Sequence, residues 1–207
     1  MPLDNFVTFE DFYKRLLEGS IEFPIFPSET NTLRDYCFFN TKTLLSVILP
    51  DSITSIGKHC FGNCSNLISI KLPNGIQILK TSTFATCSNL ASITIPDSVT
   101  ALEPSLFANC ILLQEVNMTN NLSVINYNVF RGCVGLTKIW IPISCVTIDT
   151  PAYNASPFFQ CSPSLVIYCE CSQANKPVGW GTYWNYYGDG AALSIVWSTT
   201  REQYDAL

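Results

Sequence analysis

Ten cysteines are the side chains here most able to do chemistry. A thiolate can bind zinc, close a disulfide or attack a carbonyl, and each role needs a particular set of neighbours. The spacing offers none of these sets. Cys64, Cys87, Cys110 and Cys133 recur every 23 residues, so each marks the same point in successive copies of one unit. Cys37 and Cys60 form a second, shorter series. Equivalent cysteines pack side by side as small apolar groups and need not bond. Cys60-x-x-x-Cys64 and Cys169-x-Cys171 are near enough in sequence to pair or to begin a zinc site. Neither has a second pair at ligand spacing. Free core thiols are expected, with no metal and no cofactor.

Acid–base and nucleophilic chemistry find as little support. The single histidine, His59, takes the place held by Ser82, Ser105 and Asn128 in other units, and an exposed turn is expected there. No Ser-His-Asp or Cys-His grouping assembles around it. Asp51 and Asp97 recur two units apart with Asn74 and Asn120 between them, a pattern that suits turns. There is no Gly-rich phosphate loop. An enzyme is not expected; the outsider is a glycan hydrolase built on Trp180 or Trp184.

These residues must be positioned by one repeating element. Leucine returns at Leu44, Leu67, Leu90, Leu113 and Leu136, and phenylalanine at Phe38, Phe61, Phe84, Phe107 and Phe130. Proline follows the same period at Pro50, Pro73, Pro96 and Pro142, with Thr119 as the gap. Self-similarity at roughly 20–50 residues marks a solenoid. Units run 22–44, 45–67, 68–90, 91–113, 114–136 and 137–165. The last is lengthened around PAYNASP, and the first is degenerate, as a terminal unit should be.

Inside a unit, Leu44-x-x-Val47-x-Leu49 and its copies alternate as a short strand with one buried face. Proline stops the strand. Asp51-Ser52, Asn74-Gly75 and Asp97-Ser98 then turn the chain. Pairs such as Ile53 with Ile56 and Val99 with Leu102 predict a second short strand on the opposite wall. A helical turn is expected around Phe61 to Cys64. Residues 1–21 predict an N-terminal capping helix, with Thr8 as N-cap and Phe9, Phe12, Tyr13, Leu16 and Leu17 on one face. After Leu165 the register is expected to dissolve. Residues 166–197, which hold three of the four tryptophans, are expected to form a C-terminal cap. A sugar-stacking platform is the sharper alternative. Residues 198–207 are expected to be a tail.

Composition narrows the partners. Charged residues make up only 13% of the chain, against about 25% in average soluble proteins. Sixteen acidic and eleven basic residues leave a net charge of −5. No basic stripe exists to displace counterions from nucleic acid, which excludes that partner. No segment reaches 18 apolar residues, so membrane insertion is not expected. The first twenty residues lack the basic leader and apolar run of a signal peptide. The chain is expected to be cytoplasmic as synthesised, with the cell surface or a virion as the alternative.

The units ILPDSITSIGKHCFGNCSNL and ITIPDSVTALEPSLFANCILL resemble the BspA-like leucine-rich repeats, a 23-residue class, and the likeness extends over residues 33–165. The tail IYCECSQANKPVGWGTYWN resembles the terminal unit of bacterial members. The resemblance implies a β-rich leucine-rich repeat solenoid with short parallel strands. It also implies surface proteins that adhere to matrix proteins, host cells or other microbes. Similar repeats occur in phages and prophages of gut bacteria.

The outward strand positions are the candidate contact residues. Between the buried pair of each strand stand Ile48, Lys71, Thr94, Asn117 and Trp140. A flanking column holds Ser46, Ser69, Ser92, Glu115 and Lys138. Buried columns hold constant while these vary. Ile48 and Trp140 are apolar where solvent is expected, and exposed aromatics are common binding anchors. The expected function is a non-catalytic protein- or glycan-binding module working through this strand face, an adhesion or recognition role. The alternative is a phage virion- or tail-associated structural or host-attachment protein.

Overall fold

In a computed structural model of the chain, residues 6–7, 26, 30–188 and 191–207 are described. The expected N-terminal capping helix lies outside them, save for Phe6 and Val7. Those two form a short strand, β1 (Phe6–Val7), paired in parallel with β2 (Thr32–Leu33).

The chain winds as a stack of flat coils, each laid on the last with the same residues in touch. Two walls of parallel strands define it. The front wall comprises β3 (Ser46–Ile48), β5 (Ser69–Lys71), β7 (Ser92–Thr94), β9 (Glu115–Asn117), β11 (Lys138–Ile141), β13 (Val166–Cys169) and β15 (Ser194–Trp197). Its ladders are β3-β5, β7-β9 and β11-β13-β15, with β5 against β7 and β9 against β11. The back wall comprises β4 (Ser55–Ile56), β6 (Ile78–Leu79), β8 (Ala101–Leu102), β10 (Val124–Ile125), β12 (Thr147–Ile148) and β14 (Gly179–Trp180). Five of these follow one another as β6-β8-β10-β12-β14, while β4 pairs with β2. Pairing is between repeat-equivalent residues, such as Ser46 with Ser69 and Ile125 with Ile148.

The core between the walls is a set of columns. Six phenylalanine rings, at 38, 61, 84, 107, 130 and 158, stack face to face with centroids 5.2–5.7 Å apart and planes within 6–12°. All six are fully buried. The proline turns are sewn to the preceding coil by side chains: the hydroxyls of Ser52, Ser98 and Ser144 donate to the carbonyls of Thr30, Ile76 and Leu122 at 2.6–2.7 Å. That explains the serine at these turns.

Two expectations need correction. The segment around Phe61 to Cys64 is not a helical turn. Lys58–Asn63 is a run of tight turns in which His59 and Asn63 take positive φ, 54° and 60°. The same pair of left-handed positions recurs at Tyr36 and Asn40, Ser82 and Thr86, Ser105 and Asn109, and Asn128 and Gly132. Alternate amides bond within the coil and across to the next, as Phe39 N to Tyr36 O (3.0 Å) and Phe38 N to Cys60 O (2.8 Å). A helix would direct every amide inward along its own axis and leave the neighbouring coil without partners. Asn and His are among the residues enriched in left-handed backbone, while Tyr36, Ser82, Thr86 and Ser105 are held there by the stack.

The register also persists beyond Leu165. Ile139 pairs with Ile167 and Ile167 with Ile195, each step 28 residues. The extra length lies in the PAYNASP insertion, which holds a single 3-10 turn at Tyr153–Ala155, and in the loops of the next coil. The segment expected only to cap the stack thus adds coils to it. Trp180 occupies the back-wall column behind Ile148 and donates its indole N–H to Cys145 O at 2.8 Å. Trp180 and Trp184 are buried against each other, with centroids 4.6 Å apart. Rings sealed in this way present no stacking face to a sugar.

Replacing Phe84 by Ala removes a ring held between Phe61 and Phe107. Phe84→Ala should lower stability by about 3–5 kcal/mol, measured by urea denaturation. A loss under about 1 kcal/mol would show that the ring column is not the core of the stack.

Candidate recognition surface

The front wall places its outward side chains in two columns, as the alternation of each strand requires. Register pairs Ile48 with Lys71, Thr94 with Asn117 and Trp140 with Tyr168. The flanking column pairs Ser46 with Ser69, whose hydroxyls meet at 2.9 Å, and Ser92 with Glu115. Behind them Val47, Ile70, Ile93, Val116 and Ile139 form the buried column. The columns continue through Tyr168 and Val196, which the expected loss of register after Leu165 had hidden.

The wall divides into an open half and a covered half. Ile48 is 63% exposed, and Leu45 (55%) and Ile68 (53%) are exposed one residue before β3 and β5. Lys71, Thr94, Ser69, Ser92 and Glu115 are also exposed, while Asn117 and Lys138 are half-buried. Trp140 differs from expectation: it points outward yet is only 1% exposed. The cause is the expected tail. Residues Arg201–Asp205 form a helix with a Thr200–Gln203 capping box, and it folds back over the wall. The Arg201 guanidinium lies 5.2 Å over the Trp140 ring and donates to Met118 O at 2.9 Å. The Trp140 indole N–H donates to Thr199 O at 3.3 Å. Tyr204 packs edge-on to Tyr168 at 5.5 Å beneath the Lys138 ammonium, 4.8 Å from its ring. Burial pushes the Tyr204 phenol up to about 12, against the pull of Arg201.

The residues weighed for chemistry are occupied structurally. Cys64, Cys87, Cys110 and Cys133 are free and buried. Each thiol donates to the carbonyl of a phenylalanine one coil back: Phe38, Phe61, Phe84 and Phe107, at 3.0–3.1 Å. Cys161 continues the series on Phe130. Burial pushes Cys64 up to about 11 and Cys110 up to about 12, which makes them poor nucleophiles. Cys37 and Cys60 share a thiol hydrogen bond. His59 sits in a turn as expected, but half-buried, because Tyr36 of the neighbouring coil stacks on it at 4.8 Å. Among the described residues, no group of three or more His, Cys, Asp or Glu is placed to hold a metal ion. Nor is any described helix long and apolar enough to cross a membrane.

Parallel strands piled at a fixed register, with one wall of variable outward ladders, define a repeat solenoid. The chain belongs to the BspA type leucine rich repeat family, whose repeat region matches residues 31–160 in six copies. No curated protein matches it. Among solved structures it is similar to the T. pallidum leucine rich repeat protein: 22% identity over 82% of this chain and 86% of that one, TM-score 0.61. A leucine-rich repeat protein from Eubacterium ventriosum is 28% identical over 61% of this chain, TM-score 0.57. A leucine rich cell surface protein from Faecalibacterium prausnitzii is 26% identical over 70%, TM-score 0.52. This chain spans only 34% and 44% of the latter two.

The buried thiols set an alkaline limit on stability. A thiol whose pKa is raised from 9.0 to about 12, as for Cys110 and Cys161, keeps its proton in the folded state after the unfolded chain has lost it. Its contribution is full below pH 9 and is lost as pH rises through about 12. Each such thiol costs about 1.4 kcal/mol per pH unit in that window. Urea midpoints should fall steeply above pH 9, and Cys110→Ala should flatten the slope. A midpoint unchanged up to pH 11 would contradict the buried thiol column.

Proposed function

We propose that this chain is a non-catalytic recognition module that engages a protein or a surface glycan through the open half of its front wall. One observation carries the reading: the apolar side chain of Ile48 stands in solvent opposite Lys71 and near a row of serines, with Leu45 and Ile68 also exposed just before the same two strands. Exposed apolar clusters rimmed by polar groups are the usual form of an interaction site. The wall is rigid, since each outward residue sits on a hydrogen-bonded ladder, so binding orders few side chains and loses little entropy. The buried columns repeat from coil to coil, while the outward column Ile48, Lys71, Thr94, Asn117 and Trp140 changes at every step. That is the division expected when packing sets one group and a partner the other. Membership of the BspA type family and likeness to a F. prausnitzii cell surface protein favour a target on a cell or matrix surface.

The test is capture of solubilised host or bacterial surface extract by immobilised protein, with protease or periodate treatment of the extract to separate protein from glycan. Ile48→Asp with Lys71→Glu should reduce capture at least about tenfold, because a charge in an apolar contact and an inverted one beside it each cost on the order of 1–3 kcal/mol. The melting temperature should hold, since both side chains are exposed. Ile143→Asp, on an exposed turn away from these strands, should leave capture intact. Equal capture by the wall variant and the wild type would sink the proposal.

A further inference from the structure

We propose that the strip formed by Lys138, Trp140 and Tyr168 on the front wall is a peptide-binding site. Its chemistry fits a short helix carrying an arginine and, three residues on, a tyrosine. Residues 199–207 of the same chain are its resident, releasable occupant.

The strip and its occupant match group by group. Trp140 offers a ring face, and Arg201 lies over it. Met118 offers a carbonyl, and the same guanidinium donates to it. Lys138 and Tyr168 bracket a slot, and Tyr204 fills it. These contacts are made by side chains. The backbone of the occupant gives the strip one acceptor, Thr199 O for the Trp140 indole. At the hinge end the Thr199 amide donates to Cys169 O of β13 at 3.0 Å; beyond that residue the other described bonds are internal, namely the capping box of Thr200 and Gln203 and the Arg201–Asp205 ion pair at 2.9 Å.

The coils beneath do not need this cover. The β11-β13-β15 ladder is complete without it. Trp180, Trp184 and Leu193 are buried in the core of the last coil, and the helix adds one buried side chain, Tyr204. Equivalent outward positions at Ile48, Lys71 and Thr94 stand open to solvent on the same wall. A helix of five residues is far below the length that holds itself together in water. It therefore persists only while its side chains stay docked. The reversal that brings it over the wall turns on one residue, Ser198, at φ 61°. A partner helix of like chemistry competes for the strip by displacing the occupant, and its apparent affinity is reduced by the fraction of chains that are closed.

The inference rests on the front wall being the recognition face, yet its test is separate from capture by the open half. In the 207-residue chain, Arg201→Ala with Tyr204→Ala should undock the segment while the coils keep their cooperative melt. Acrylamide should then quench one more of the four tryptophans than in the wild type. Adding Trp140→Phe should abolish that gain. A synthetic peptide of residues 198–207, added in trans, should restore protection saturably, and the same peptide with alanine at its arginine or tyrosine should bind about tenfold more weakly. The wild type, its strip occupied, should bind the peptide at least tenfold more weakly than the variant. A double variant that no longer melts cooperatively would make the segment part of the fold and overturn the proposal. So would a quenching gain that survives Trp140→Phe, or a peptide that fails to restore protection. Loss of extract capture by the Ile48 and Lys71 variant bears on the open half alone.

Discussion

Everything in this molecule depends on each coil lying on the next without slipping. The phenylalanine carbonyl is the clearest expression of that constraint. Phe61 O accepts the amide of Cys64 in its own coil at 3.2 Å and the thiol of Cys87 in the following coil at 3.1 Å. A shift of one residue between coils breaks the second bond, lifts one ring from the ring beneath it and carries every buried strand residue to the outer face. Because the same penalty applies at Phe38, Phe84 and Phe107, register is enforced many times over by weak contacts. No single strong one is needed. Cysteine suits the position because it is small and apolar and still carries a donor. Serine would bury a more polar group, and alanine would leave the carbonyl with one bond fewer.

The same constraint shapes the turns. A coil of 23 residues has to travel up one wall, cross, and come back, while its backbone groups keep facing neighbours above and below. Pairs of left-handed residues four apart let the chain bend without hiding its amides. Their types reflect the backbone: Asn at 40, 63, 109 and 128, with glycine only at 132. At Gly132 a Cβ would stand 2.5 Å from Asn109 Oδ1, so the side chain of one coil excludes that of the next. Asn63 and Asn40 use the same ladder to bond, Nδ2 to Oδ1, at 2.7 Å. The turn wall is thus held by backbone amides bonded from coil to coil, to which the Asn63–Asn40 pair adds a side-chain bond.

Much of this was legible in the sequence, because stacking turns a linear period into a spatial column. The buried leucines, phenylalanines and cysteines declared themselves by spacing alone, and the outward columns followed from strand alternation. Two features stayed hidden for physical reasons. Left-handed turns leave no apolar rhythm, so the stretch after Phe61 looked helical. The coils after Leu165 keep their strands but lengthen their loops, and a period read by counting fails when an insertion is placed between fixed points. Ile139, Ile167 and Ile195 show that the wall continues. Trp140 is the instructive case for the candidate surface. Its outward direction was correctly implied by alternation, but its exposure was not, because what covers it lies sixty residues away in a stretch with no repeat.

A solenoid end is also where two needs compete for the same residues. The open end of a stack exposes unpaired backbone and apolar side chains, which favours large aromatics as a seal. A recognition wall favours large aromatics on its outer face. In this chain the two demands separate by direction. Trp180 and Trp184 turn inward and close the last coil, while Trp140 and Tyr168 turn outward and meet Arg201 and Tyr204. An inward tryptophan adds to the core whatever lies outside. An outward one leaves its apolar face to solvent unless something lies on it. The outer aromatics of the front wall and the short helix that lies on them therefore have to be understood together, as two halves of one contact.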